Sequence, residues 1–99
     1  MINFHRTACV KNGMMVAALG VAQEFIPIMK KVADMDVRLE LPVGGNPWRI
    51  RWTIQYADLN AMSAATTKLM ANPDYVALLG KIAEYLISGA SVDEVWIVR

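Results

Sequence analysis

Few side chains in this sequence are suited to acid–base or nucleophilic work. His5 is the only histidine, and imidazole is the side chain most often used as a general base. It stands mid-strand with Asn3 and Thr7 on its face, where it would either take a proton or sit partly buried against a strand neighbour. Tyr75 follows Asn72-Pro73-Asp74. A phenol there would hydrogen-bond a substrate oxygen, or pack on a sheet with its hydroxyl at the edge. Tyr56 and Tyr85 are of the same kind. Trp48, Ile50, Trp52 and Tyr56 share one strand face, as a wall of the core or a platform for a flat aromatic ligand. Arg49 and Arg51 share the other face. They would bind a carboxylate or phenolate, or pair across strands with Glu40 or with Asp93 and Glu94. Cys9 stands alone as a buried thiol. With one Cys and one His, the chain can build neither a disulfide framework nor a multi-ligand Cys/His metal site. Gly44-Gly45 falls in a hairpin rather than before a helix, so no phosphate loop is expected.

These residues must be positioned by regular elements. Met1 to Val10 alternates, with Ile2, Phe4, Ala8 and Val10 on one face and Asn3, His5, Thr7 and Cys9 on the other, which reads as a strand. Lys11-Asn12-Gly13 is a turn. From Met14 to Asp34 apolar residues recur at helical spacing, with Pro27 expected to kink or divide the helix near Glu24. Asp36 to Val43 and Trp48 to Tyr56 alternate again around Gly44-Gly45-Asn46-Pro47, a hairpin. Asp58 is the expected N-cap of a second helix, broken at Asn72-Pro73. A third runs from Pro73 to Ser88-Gly89, and Val92 to Val98 is the last strand. The order is two strand–helix–strand halves. Interleaved, they give one ferredoxin-like βαββαβ domain over residues 1–99, α+β, with a four-stranded antiparallel sheet and helices on one face.

Composition sets the context. The chain has 99 residues, 56% hydrophobic and 19% charged, with net charge +1. That leaves no electrostatic case for nucleic acid, and no run reaches the length of a membrane span. The opening residues alternate rather than forming the continuous apolar run of a secretory signal. With a lone Cys, a cytoplasmic protein is expected. A small domain with so little charge has apolar surface to hide, and a homodimer with sheets face to face is the expected solution.

The element order, the Lys11-Asn12-Gly13 turn, the stretch Trp52-Thr-Ile-Gln-Tyr-Ala-Asp-Leu and the stretch Leu69-Met-Ala-Asn-Pro-Asp-Tyr75-Val-Ala-Leu-Leu together resemble the dimeric α+β barrel superfamily. Its antibiotic-biosynthesis monooxygenase and NIPSNAP-like groups have a similar layout. The resemblance implies a pocket between sheet and helices, with activities such as cofactor-independent oxidation of polycyclic phenols, polyketide cyclisation or haem degradation. The residues associated with haem degradation are missing, since the second helix has no Trp and no His lies near Tyr75. The polyketide-cyclase-like pattern matches His5 on the first strand, but its second histidine is replaced by Tyr75.

The expectation is therefore a small dimeric protein acting, without a cofactor or metal, on an apolar aromatic or polyketide-like molecule. His5 would be the base, with Tyr75 and Arg51 holding the oxyanion and Trp52 and Tyr56 lining the site. The alternatives are a non-enzymatic dimeric ligand-binding or scaffold protein, and a polyketide cyclase-like acid–base enzyme. The first reading requires His5, Tyr75 and Trp52 to meet in one cavity.

Overall fold

The computed structural model describes all 99 residues. Strand β1 (Ile2–Cys9) is followed by helix α1 (Met15–Ala33), strands β2 (Val37–Glu40) and β3 (Arg49–Tyr56), helices α2 (Leu59–Met70) and α3 (Pro73–Ala83), and strand β4 (Val92–Ile97). The strands form one antiparallel sheet in the order β2-β3-β1-β4. This is the ferredoxin-like arrangement.

Each helix follows from local chemistry. Ala18, Val21, Ala22, Phe25 and Met29 give α1 a buried stripe at three- and four-residue spacing. Pro27 lies inside α1, yet the helix is continuous. The carbonyl left without a donor belongs to Gln23, four residues back. Gln23, Glu24 and Pro27 are all exposed, so water can take the place of the lost bond. The expected division near Glu24 therefore does not occur. Asp58 caps α2 as expected, its carboxylate accepting the Ala61 N–H at 2.8 Å. Asn72 caps α3 by accepting the Tyr75 N–H at 3.0 Å, with Pro73 in the first turn. That helix ends at Ala83, earlier than Ser88-Gly89. Val10 and Leu86 then pair in an isolated bridge that ties the segment to the end of β1. Strand β2 is shorter than its alternating pattern and stops before Pro42, which has no N–H to give a ladder.

Register decides which residues share a face. Phe4 lies opposite Ile54, Arg6 opposite Trp52 and Ala8 opposite Ile50. On the other side, Arg6 lies opposite Asp93 and Phe4 opposite Val95. These residues, with Val37 and Leu39 of β2, turn toward the helices. The core lies between them and the helices, with Ile50, Ala18 and Ala22 completely enclosed. The opposite face of the sheet is covered by no element of the chain. It carries Asn3, His5 and Thr7 at its centre, Arg51 and Thr53 on one side, and Glu94 and Trp96 on the other.

Candidate functional site

A cleft of about 530 Å³ lies between the helix-facing side of the sheet and the three helices, and 15 of its 19 lining residues are hydrophobic. Strand alternation supplies Trp52 and Tyr56 from β3, and Phe4 and Arg6 from β1. The helices supply Phe25 and Tyr75. The rings are held edge to face. Phe25 stands 6.4 Å from Trp52 at 74° and 5.6 Å from Tyr75 at 81°. Such pairs add about 0.5–1.5 kcal/mol beyond their buried area. Tyr75 is placed by its own backbone, because its N–H is the one that Asn72 caps.

One ion pair interrupts this apolar lining. Arg6 donates from Nε to Asp93 Oδ1 at 2.8 Å and from Nη2 to Oδ2 at 2.9 Å, a two-point fork. Its guanidinium also stands over the Phe4 ring, 5.6 Å from the centroid. The hydrogen bond from Arg6 holds the Asp93 carboxyl below its ordinary range, and the same bond raises Arg6. Burial pushes the Tyr56 phenol up to about 12 and raises Tyr75 as well. Both phenols therefore stay protonated at neutral pH and can donate to an oxygen acceptor within the cleft.

His5 and Arg51 are elsewhere. The register that turns Arg6 and Trp52 inward turns His5, Arg51 and Thr53 to the open face. The expected convergence of His5, Tyr75 and Trp52 does not occur within the chain. Trp52, Tyr56 and Tyr75 share the cleft, while His5 and Arg51 lie across the sheet from it. Arg51 borders a separate, mainly polar hollow of about 280 Å³ beside the β2–β3 hairpin. Arg49 is fixed there by the carbonyls of Asn46 and Gly44, at 2.8 and 2.9 Å.

The open face has its own order. The Thr53 hydroxyl donates to Glu40 Oε1, and its oxygen is 2.9 Å from His5 Nδ1. Because the Thr53 proton goes to Glu40, His5 must donate from Nδ1, which leaves Nε2 as the nitrogen able to accept a proton. Arg51 Nε donates to the same carboxylate at 3.2 Å. The Thr53 bond first, and Arg51 after it, hold the Glu40 carboxyl below its ordinary range. No group of three or more His, Cys, Asp or Glu side chains is placed to hold a metal ion.

From the sequence, Arg6 had no role and Asp93 was expected only as a partner for Arg49 and Arg51, whereas Asp93 pairs with Arg6 at the cleft and Arg51 with Glu40. The signal for the cleft pair was parity. Arg6 occupies the one charged position in the series Ile2, Phe4, Arg6, Ala8, Val10, and Asp93 shares the parity of Val95 and Ile97. A charge in register with apolar neighbours is directed toward the core side of its strand.

No family model matches the chain, and no curated protein matches it in sequence. Solved structures match in fold. An uncharacterised NIPSNAP domain protein from Burkholderia xenovorans has a TM-score of 0.87 at 19% identity, over 100% of this chain and 95% of that one. A NIPSNAP family protein of unknown function from Agrobacterium tumefaciens gives 0.83 at 25% identity, over 96% and 85%. An antibiotic biosynthesis monooxygenase-like protein from Nitrosomonas europaea gives 0.77 at 11% identity, over 99% and 98%. What these likenesses establish is the fold: the chain has the ferredoxin-like α+β fold of these NIPSNAP-domain structures.

Proposed function

We propose that this protein binds a small, flat, mainly apolar molecule in the cleft between sheet and helices, and does so as a homodimer. The observation that carries this reading is the aromatic lining itself, with Trp52, Phe25 and Tyr75 held edge to face around a volume within the usual range of small-molecule sites. The polar groups in that space suit recognition better than proton transfer. Both phenols keep their protons, and the one carboxylate is tied to Arg6. A ligand-binding protein fits them better than an acid–base enzyme working inside the cleft. Cys9 is a free thiol, in keeping with a reducing compartment such as the cytoplasm.

The His5–Thr53–Glu40 arrangement favours a second reading, an acid–base enzyme of the monooxygenase-like or cyclase-like kind. Its base is His5 Nε2, and its substrate lies against the open face, between two facing sheets. The two readings separate in one experiment. Calorimetric titration with 2-naphthamide, a neutral flat probe, is expected to show binding that Trp52→Ala weakens about tenfold and His5→Ala leaves unchanged. Binding lost in His5→Ala and kept in Trp52→Ala places the ligand on the open face. No binding to the unaltered protein overturns the cleft reading.

A further inference from the structure

Arg6 is the only cation that borders the cleft, and Asp93 the only anion. The pair stands among aromatic and aliphatic side chains, so whatever enters the cleft meets apolar walls and one guanidinium fork. Two features set this fork apart from an ordinary surface ion pair. Its plane is filled by both oxygens of a single carboxylate, the two-point geometry that guanidinium and carboxylate share. Its present partner is also one that water can take over. Asp93 lies on β4, the edge strand, and its side chain is 46% exposed. Released from Arg6, it can turn into water rather than remain in the cleft. Arg6 is as exposed, at 45%, but its guanidinium rests on a ring. It lies on β1, between β3 and β4, with its guanidinium over Phe4.

We infer that the cleft takes an aromatic carboxylate, whose ring system lies among Trp52, Phe25 and Tyr75 and whose carboxylate replaces Asp93 on the Arg6 fork. This rests on the cleft reading above and adds the chemical class of the ligand. In the free protein Asp93 holds the guanidinium in the orientation a carboxylate needs. On binding, one carboxylate exchanges for another and the fork keeps both of its hydrogen bonds. No neutral head group can fill it in that way, and the charge difference supplies the selectivity.

The test compares 2-naphthoate with 2-naphthamide, which share a ring system and differ in head-group charge. Calorimetry on the unaltered protein is expected to show naphthoate binding about tenfold more tightly. Arg6→Met brings the two affinities together. Asp93→Asn removes the competing anion and widens the preference for naphthoate. Equal affinities in the unaltered protein, or a naphthoate preference that survives Arg6→Met, overturn the carboxylate assignment while amide binding leaves the cleft reading standing. If neither probe binds, both fall together. Should Arg6→Met fail to fold, Asp93→Asn decides alone, and a preference that does not widen there overturns the exchange.

Discussion

Thr53 is the one polar side chain among the buried residues, at 2% exposure, and it joins groups from three strands. Its hydroxyl proton goes to Glu40 of β2, and its oxygen accepts from His5 of β1. Thr53→Val keeps the shape and removes both bonds. The expected cost is about 1 kcal/mol, read from urea unfolding, and the pH dependence gives a more specific readout. Glu40 ionises more readily in the folded protein than at its ordinary value of 4.5. Its contribution to stability is therefore present above that value and is lost as pH falls through and below it. In Thr53→Val the Glu40 carboxyl moves back up, and the acid limb of the stability curve becomes shallower. A carboxyl titration by NMR that leaves Glu40 unmoved in this variant would show that the hydroxyl is not what holds it down. The same strands explain what was legible residue by residue. Alternation within β1 and within β3 is plain in the sequence, and so is the sharing of a face by Trp52 and Tyr56. Whether His5 shares the side of Trp52 depends on register, and a shift of one residue exchanges the faces. The pairing of His5 with Thr53 and of Arg6 with Trp52 settles it, and places an arginine rather than the histidine beside the tryptophan.

At the level of elements, caps and periodicity were legible because they are local. Asp58 and Asn72 each accept the expected backbone N–H. The bounds were less legible because they depend on what surrounds them. Pro27 signals a break, but it falls on the wet side of α1, where hydration removes the reason for one. The apolar pattern of β2 runs on to Val43, but Pro42 has no N–H for a ladder and the strand stops at Glu40. The two caps also allow a matched test. Asn72→Ala and Asp58→Ala should each cost about 1 kcal/mol of stability. Only Asn72 fixes the turn that carries Tyr75, whereas α2 borders the cleft through its C-terminal half, at Thr66, Leu69 and Met70. Asn72→Ala is therefore expected to weaken 2-naphthamide binding, with Asp58→Ala binding as the unaltered chain does. Equal effects on binding would mean that the cleft responds to overall stability rather than to the placement of Tyr75.

For the whole molecule, the open sheet face is the unfinished surface. Several of its polar side chains satisfy one another: His5 Nδ1 with Thr53, Thr53 and Arg51 with Glu40, and Gln55 with Asn3. No buried side-chain nitrogen or oxygen lacks a partner. Groups paired in this way can be covered without being stranded. At one edge it carries apolar side chains that no part of the chain covers, Val92 at 57% exposure and Trp96 at 59%. A stable pair of subunits needs roughly 800 Å² from each partner, and a four-stranded sheet presents a face broad enough to supply it. The homodimer proposed above would bring a second copy against this face. Light scattering on the purified protein is then expected to give twice 11.0 kDa, about 22 kDa. Trp96→Glu places a charge in the covered patch and shifts the mass toward the single chain, while Val16→Glu, on the outer face of α1 at 88% exposure, leaves it unchanged. A mass of 11.0 kDa for the unaltered protein would leave Trp96 in water and the open face without a partner. It would also end the second reading of His5, which needs two sheets to enclose a substrate. The cleft between sheet and helices belongs to one chain and would survive that result.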